Sequence, residues 1–456
     1  MSIQNRDYEY SQSEENIGLI TERPLNKLEH KTGTSWYASV FLVVNAALGA
    51  GLLNFPQAYE RAGGLLVAIL IQAVFVVFVL CALLILAYCS DLKKTCTYQD
   101  TVLTVCGQNA QRASAICLTA YCFGTCITFL IIIGDQWEEF FLSVAYNTFC
   151  HESPWYMNRI TTIMVTSTLL VLPLCFPKRI DFLKYPSMVG VVAIFYVVAV
   201  VTAEYFQPHD SQDITIKTRP DEWMDVFIVV PTICFGYQCH VSVIPIYSCM
   251  EGRNLRDFSK TAGIAMLICV ITYTGTAAFG YLTFGDKVTS DILLSYDHSP
   301  VILMAVILIA VKTYTTYPIL LFCGRASFEC LWLDLRRLSP EVIESHEKLR
   351  RIVITIVWFI STIILASFIP NIGVVIQLLG SLAATFIFIF PGMCLLVTNL
   401  KEVREKGTWS RKNRFLFAVS SAFLILGAFV FGLTLTQSIM NDINKGVSAD
   451  KSKYTC

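Results

Sequence analysis

Charged residues are scarce in this sequence. Only 15% of its 456 residues are charged, against about a quarter in soluble domains, whereas 55% are hydrophobic. The 34 basic and 34 acidic residues balance, so the chain lacks the net positive charge typical of nucleic-acid binding. Zinc-finger, RNA-binding and P-loop motifs are also absent. The composition predicts an all-α polytopic membrane protein and not an enzyme, because no nucleophile and base pair has a recognisable context.

Signals for disulfides, metal binding and glycosylation are few. Most of the 17 cysteines lie in apolar runs, where cysteine behaves as a small hydrophobic residue, and the Cys239-His240 pair lacks zinc-site spacing. Segment 207–223 contains no cysteine, and the predicted outer loops contain no Asn-x-Ser/Thr sequence. Cys150 has only Cys456 as a partner on its predicted side, and whether the two are oxidised stays open.

Long apolar runs account for most of the chain. Each run can cross a hydrocarbon core, which needs about 20 helical residues. The ninth and tenth runs are separated only by residues 370–373, which predict a tight turn between two helices. The eleven predicted spans are 36–58, 63–89, 113–136, 160–177, 184–206, 224–246, 261–284, 301–323, 352–369, 374–397 and 415–438.

Basic residues are distributed unequally between the two sides of the predicted bundle. If the N-terminal tail is cytoplasmic, 25 of the 34 lysines and arginines lie on its side and 8 on the other, while Lys312 lies within a span. Loops rich in lysine and arginine remain in the cytoplasm. The distribution therefore predicts a cytoplasmic N-terminus and an extracellular or lumenal C-terminus.

The segments outside the spans are predicted to form tails and loops. The polar residues 1–35 predict a disordered cytoplasmic tail, in which Glu15, Leu19 and Ile20 have the form of an acidic dileucine signal for trafficking adaptors. A chance match is the alternative. The plasma membrane is favoured as the location, and endosomal or lysosomal residence stays open. The other segments are an extracellular loop at 207–223, a cytoplasmic loop at 398–414 and an extracellular C-terminal tail at 439–456.

Two spans carry residues that interrupt a helix. Span one contains NAALGAGLLNFP (45–56), in which Gly49 and Gly51 flank Ala50, and span six contains PTICFGYQCHVSVIP (231–245). Glycine and proline release backbone N–H and C=O groups, which a membrane protein tolerates only where protein or a water-filled cavity satisfies them. The two breaks therefore predict a binding site. Close packing of small residues is the alternative.

The spacing of the two breaks predicts the fold. They lie five spans apart, as in two five-helix repeats of opposite topology whose first helices are broken. The first inverted repeat would comprise residues 36–206 and the second residues 224–397, with the eleventh helix (415–438) outside the pair. In such a fold half-helix N-termini face an anionic group, and released carbonyls take a cation. An amino acid zwitterion fits this arrangement.

Two motifs, NAALGAGLLNFP and CFGYQCHVSVIPIY, together with the eleven-helix plan, resemble the sodium-coupled neutral amino acid transporters of the amino acid/auxin permease superfamily. The resemblance extends from about Ser35 to about Asp442 and is strongest to members six and seven, with six favoured. It implies transport of glutamine and related neutral amino acids, with sodium as the coupling ion and no cofactor. It also implies a cation site at Asn45, Thr315 and Thr316, and a substrate site at Gly49, Ala50, Gly51, Phe235, Gly236 and Tyr237.

Lys312 departs from this pattern. It lies eleven residues into span eight, close to the bilayer midplane, where a charged side chain costs at least about 2.5 to 3.5 kcal/mol. Thr315 and Thr316 follow three and four residues later on the same helical face, so an ammonium there would repel sodium or replace it. Lys312 is therefore the predicted coupling residue, and Asp135 its predicted partner. The alternative is a lysine that extends into an aqueous vestibule.

The predicted function is secondary active transport of a neutral amino acid, above all L-glutamine, by alternating access with sodium. The side chains of Tyr121, Gln238 and His240 complete the predicted pocket and suit an amide or an acidic side chain. For His240, a buried histidine with no role in coupling is an equal alternative. Two other functions stay open. One is a sodium-independent or proton-coupled permease for glutamine or glutamate in which Lys312 replaces the cation, and the other is an amino acid sensor that does not transport.

Overall fold

The computed structural model describes residues 34–147, 154–177, 184–207, 214–297, 299–336, 346–369 and 371–445. Within these ranges the regular secondary structure is helical, apart from one β-bridge between Thr34 and Met250. The predicted sorting signal in the N-terminal tail lies outside the described residues, as do Cys150 and Cys456, whose oxidation state was left open.

Sixteen α-helices follow one another in the described ranges. Apolar runs dominate the long helices, because a helix satisfies its own backbone hydrogen bonds where no water is present. The helices are α1 (Trp36–Ala47), α2 (Phe55–Arg61), α3 (Leu65–Lys93), α4 (Tyr98–Cys106), α5 (Gln108–Asn147), α6 (Arg159–Thr166), α7 (Leu172–Cys175), α8 (Lys184–Tyr205), α9 (Val229–Gly236), α10 (His240–Cys249), α11 (Leu255–Phe284), α12 (Pro300–Arg336), α13 (Glu347–Phe368), α14 (Ile372–Ala384), α15 (Phe390–Lys406) and α16 (Arg411–Lys445).

Membrane-spanning helices occur throughout the described residues. Nine helical segments there are long and apolar enough to cross a membrane, and a tenth is formed by the bent pair Trp36–Ala47 and Ala50–Arg61. A shorter apolar helix, Arg159–Cys175, covers the predicted fourth span. The multi-pass membrane architecture is therefore confirmed. The count of eleven spans stays a prediction, because this helix is shorter than the usual length of a crossing.

Local capping separates two helices that share one long apolar stretch. Helix α13 ends at Phe368, and α14 begins after Asn371, whose side chain accepts a hydrogen bond from the Gly373 N–H at 2.8 Å. An asparagine at this position satisfies a backbone donor that the first helical turn leaves unpaired. The structure thus confirms the predicted turn between the ninth and tenth spans.

The loop before α9 packs on the turn between α2 and α3. In that turn Gly63 and Gly64 have φ values of 93° and 108°, and a Cβ on Gly64 would lie 2.1 Å from the Lys217 carbonyl oxygen. The Lys217 ammonium pairs with Asp221 at 2.8 Å and with Glu60 at 3.1 Å. The hydrogen bonds to Asp221 and Glu60 raise the pKa of Lys217. Backbone contact and ion pairs therefore hold this loop against the end of the first interrupted span.

The sixth and tenth predicted spans lie in the middle of the bundle. In the apolar windows of Asp225–Cys249 and Ile372–Lys406, 78% of the residues are buried, against 22% in that of Arg411–Ile439. Helix α16 packs on α14 and α15 at one edge. A peripheral last helix agrees with the predicted position of the eleventh span outside the two repeats, although the repeat relation itself stays a prediction.

Candidate functional site

The first break lies between α1 and α2. Helix α1 ends at Ala47, and both Leu48 (φ −73°, ψ 96°) and Gly49 (φ −123°, ψ −163°) are extended. A short 3-10 segment, Ala50–Asn54, then leads into α2, and the two halves meet at a bend of 53°. The predicted interruption at 49–51 is therefore confirmed, and it begins one residue earlier than predicted, at Leu48.

The second break lies between α9 and α10. Helix α9 ends at Gly236, residues 237–239 are not helical, and α10 begins at His240. The three intervening residues leave backbone groups outside both helices. Pro231 and Pro245, which helped to predict the break, lie inside α9 and α10. The interruption thus follows Gly236 and not either proline.

The two breaks contact each other directly. A Cβ on Gly51 would lie 3.2 Å from the Gly236 Cα and 3.2 Å from the Phe235 Cδ1, and a Cβ on Gly236 would lie 2.7 Å from the Phe55 Cε2. A Cβ on Gly236 would clash, and a Cβ on Gly51 would require its neighbours to move by a few tenths of an ångström. Close packing of small residues, which was the alternative to a binding site in the sequence, therefore occurs together with the interruption and does not replace it.

Tyr273 of α11 joins the two breaks. Its hydroxyl lies 2.8 Å from the carbonyl oxygens of both Ala47 and Gly236, so its proton can be donated to either one. The Gly49 N–H donates to the same hydroxyl at 3.4 Å. The ring is fully buried and stacks on Phe55 at 4.4 Å between centroids. Sequence reasoning missed Tyr273, although a tyrosine hydroxyl inside a long apolar run was a usable signal, because it needs a partner there.

A buried hydrogen-bond network lies behind the second break. The Tyr59 hydroxyl donates to the Gln72 Oε1, and the Gln72 Nε2 donates to the Tyr237 hydroxyl at 2.8 Å and to the Thr274 Oγ1 at 2.9 Å. Gln72 is 2% exposed and Tyr237 is fully buried. The predicted substrate residue Tyr237 therefore directs its hydroxyl to a neighbouring helix, where it fixes the backbone after Gly236.

The other predicted pocket residues lie around the same break. The Gln238 Oε1 and the His240 Nδ1 are 2.9 Å apart, and both side chains are buried. The Tyr121 ring lies 6.1 Å from the Phe235 ring between centroids. The structure therefore places Tyr121 beside Phe235 and pairs Gln238 with His240 at the same break.

The predicted cation ligands lie on two helices. Asn45 is partly buried in the last turn of α1, two residues before Ala47. Thr315 and Thr316 lie on α12, and their hydroxyls donate to the Lys312 carbonyl oxygen at 2.9 Å and 2.8 Å. These hydrogen bonds direct both hydroxyl protons back into their own helix.

Lys312 reaches from α12 to the first break. Its ammonium donates to the Leu48 carbonyl oxygen at 2.7 Å, and the side chain is 6% exposed. Asp135, the predicted partner, pairs instead with Arg159 at 2.8 Å. That prediction was wrong because the break releases a backbone carbonyl next to Lys312, and a neutral carbonyl can accept a hydrogen bond from an ammonium. The vestibule alternative does not describe this buried ammonium either.

The match to a family model covers nearly the whole chain. Residues 32–440 match the model described as "Transmembrane amino acid transporter protein". The chain belongs to this family of transmembrane amino acid transporters. It is therefore a transporter and not an enzyme, which agrees with the absence of a recognisable nucleophile and base pair in the sequence.

Several relatives of this transporter have descriptive names. It is 43% identical over 427 residues to "Sodium-coupled neutral amino acid transporter 7" of Danio rerio, covering 92% of this chain and 90% of that protein. It is also 43% identical to the human protein of the same name, covering 90% and 89%. "Solute carrier family 38 member 8" of Homo sapiens is 34% identical, covering 88% and 93%. Of the two members named from the sequence, these comparisons support member seven.

One solved structure shows the same overall fold. The crystal structure of MhsT in complex with L-phenylalanine superposes with a TM-score of 0.50 at 13% identity, covering 90% of this chain and 100% of that one. At this level of identity the similarity concerns the fold alone.

Proposed function

We propose that this transporter carries neutral amino acids, with L-glutamine as its main substrate, by alternating access. The observation that carries the proposal is the direct contact of two helix breaks in the middle of the bundle, at Gly51 and Gly236. Breaks at membrane depth supply backbone donors and acceptors for a polar ligand. The relatives that match over nine-tenths of the chain are named as neutral amino acid transporters, which supports the substrate class.

The two breaks suit the two charges of an amino acid. The substrate carboxylate would bind the backbone amides of Gly49, Ala50 and Gly51, and its ammonium would bind the carbonyls near Phe235 and Gly236. The Tyr273 hydroxyl lies 2.8 Å from the Gly236 carbonyl oxygen, so the substrate would share or displace that hydrogen bond. Exchanging one bond for another keeps buried backbone groups satisfied during binding.

A glutamine side chain would extend toward Tyr121, Gln238 and His240. Gln238 and His240 already form a hydrogen bond at 2.9 Å, and a substrate amide, which both donates and accepts, could join such a pair. A site that hydrogen-bonds an amide is left with unpaired polar groups when an apolar substrate binds. The affinity for the apolar substrate is therefore lower. This is the physical reason for placing glutamine ahead of neutral amino acids with hydrocarbon side chains.

Sodium coupling is proposed from the names of the relatives. Asn45 would hold a sodium ion beside the substrate. Thr315 and Thr316 are the other predicted ligands, and their hydroxyls both donate to the Lys312 carbonyl. Movement between inward- and outward-open states would occur between the proposed repeats, 36–206 and 224–397, with the plasma membrane favoured over an endolysosomal one.

A substrate panel in proteoliposomes tests the proposal. Purified full-length protein is reconstituted, and uptake of radiolabelled glutamine, glutamate, leucine and alanine is measured with an inward sodium gradient. We expect glutamine to accumulate fastest and unlabelled glutamine to compete with the other neutral amino acids. Saturable glutamine binding without accumulation would overturn transport and support a sensor. Faster uptake of glutamate or leucine would overturn the assignment of glutamine.

A further inference from the structure

The contact between Lys312 and the first break connects two helices that are far apart in sequence. The ammonium lies 2.7 Å from the Leu48 carbonyl oxygen, on the extended backbone between α1 and the 3-10 segment. The side-chain stem packs on α8, where a Cβ on Gly190 would lie 3.2 Å from the Lys312 Cγ. The ammonium is therefore positioned by packing along its stem as well as by a hydrogen bond at its end.

The neighbouring groups are oriented as if a cation were already bound there. A carbonyl released by a helix break is an oxygen that a sodium ion could take, and the Lys312 ammonium binds the one at Leu48. The Thr315 and Thr316 hydroxyls donate to the Lys312 carbonyl, so that carbonyl also has partners. The two hydroxyl oxygens keep lone pairs for a cation, and the Lys312 ammonium occupies the released carbonyl that a sodium ion would otherwise use.

We propose that the Lys312 ammonium is a built-in cation that takes the place of one sodium ion between the first break and α12. A positive charge there would exclude sodium by repulsion, because two like charges at close range in a protein interior are mutually destabilising. The protein would then complete the α1–α12 contact in every transport cycle without binding an ion at this position. Under this assignment a sodium ion bound near Asn45 is held without the Thr315 and Thr316 hydroxyls.

The inference rests on the proposed transport function and makes a separate prediction about ion number. Removing the charge with Lys312→Ser also adds a hydroxyl, so this variant should gain one sodium site. We expect about one additional 22Na+ ion bound per protein, and a sodium Hill coefficient for substrate uptake that rises by about one relative to wild type. Lys312→Arg keeps the charge and should keep the wild-type sodium response.

The matched control is Lys401→Ser. The Lys401 ammonium also donates to a backbone carbonyl, that of Val105, at 2.9 Å, but Val105 lies in α4 and not in either interrupted span. The Lys401 substitution should leave both 22Na+ binding and the Hill coefficient at wild-type values. A change of equal size in Lys401→Ser and Lys312→Ser would overturn the assignment, because it would show a general effect of losing a lysine.

A second substitution and a second measurement keep the test decisive. Lys312→Ala removes the charge without adding a hydroxyl, and sodium should raise the thermal unfolding temperature of Lys312→Ala or Lys312→Ser more than that of wild type. Equal 22Na+ binding and equal sodium-induced stabilisation in wild type and both variants would overturn the inference. These binding measurements need no substrate, so they are independent of the panel that tests the proposed function.

Discussion

The Tyr273 hydroxyl is the side-chain group most closely tied to both breaks. It contacts the Ala47 and Gly236 carbonyl oxygens and the Gly49 N–H, three backbone groups that the helices on either side do not satisfy. Leaving a buried carbonyl without a partner costs about 1 to 3 kcal/mol. One hydroxyl therefore makes the interrupted backbone tolerable in the membrane and sets the distance between the two halves of the proposed substrate site.

Tyr273→Phe removes this hydroxyl and leaves the ring and its stacking on Phe55 unchanged. We expect the ratio kcat/KM for substrate uptake to fall about tenfold to hundredfold, since about 1.4 kcal/mol corresponds to a factor of ten. Initial uptake rates over a range of substrate concentrations give this value. Tyr281→Phe is the control, because Tyr281 is also fully buried on α11 and its hydroxyl accepts a hydrogen bond from the Lys217 N–H in the peripheral loop. Equal losses in both variants would contradict a special role for Tyr273.

Lys312 shows how strongly one charge can act at this depth. Two unit charges about 4 Å apart interact by about 4 kcal/mol at an effective dielectric constant of 20. The proposed exclusion of sodium by Lys312 relies on a repulsion of this size.

At the scale of helices, the interrupted spans form one unit. Helix α9 packs on α14, α2 and the 3-10 segment, and the 3-10 segment brings Gly51 within 3.2 Å of Phe235 and Gly236, as measured from its ideal Cβ. Close approach of two backbones requires glycine, because any side chain separates them. The same residues thus release backbone groups and allow the two breaks to meet.

Gly51→Ala should separate the two breaks. A Cβ placed 3.2 Å from the Gly236 backbone overpacks the site, which costs typically about 1 to 3 kcal/mol. We expect substrate affinity, measured by binding to purified protein, to fall at least about tenfold. Gly263→Ala is the control, because a Cβ there meets nothing within 4 Å and alanine favours the helix. Wild-type affinity in Gly51→Ala would show that the contact of the two breaks is not needed for binding.

At the scale of the whole molecule, the bundle has a buried centre and a peripheral last helix. The apolar window of Arg411–Ile439 is only 22% buried, against 78% for the window that contains the second break. Lipid tails can cover the apolar side chains of such a helix as well as protein does, because both are apolar. The proposed substrate site is therefore surrounded by protein. Protein groups there can pair with a charged ligand, which would be costly to expose to lipid.

The predicted orientation can be tested by new glycosylation sites. Ile216→Asn creates the sequence Asn-Lys-Thr in the loop before α9, and Lys406→Asn creates Asn-Gly-Thr at the end of α15. Both positions are exposed. With the N-terminus in the cytoplasm, only Ile216→Asn should gain a glycan, seen as a glycosidase-sensitive increase in apparent mass. Modification of Lys406→Asn alone would reverse the predicted topology.

The apolar helices and the two breaks could be predicted from the sequence because their causes are local. An apolar run of sufficient length must be helical in a membrane, and Gly49, Gly51 and Gly236 weaken a helix wherever they stand. The turn at Asn371 is also a property of neighbouring residues. Each of these features depends on residues within about one helical turn of the feature itself.

The contacts that decide the chemistry of the site depend on the tertiary structure. Tyr273 lies 226 positions from Ala47, and Lys312 lies 264 positions from Leu48. No local pattern specifies which released carbonyl meets which side chain, because helix packing brings together residues from distant parts of the chain. For this reason the charge of Lys312 could be recognised as exceptional in the sequence, whereas its partner, the Leu48 carbonyl, was decided only by the fold.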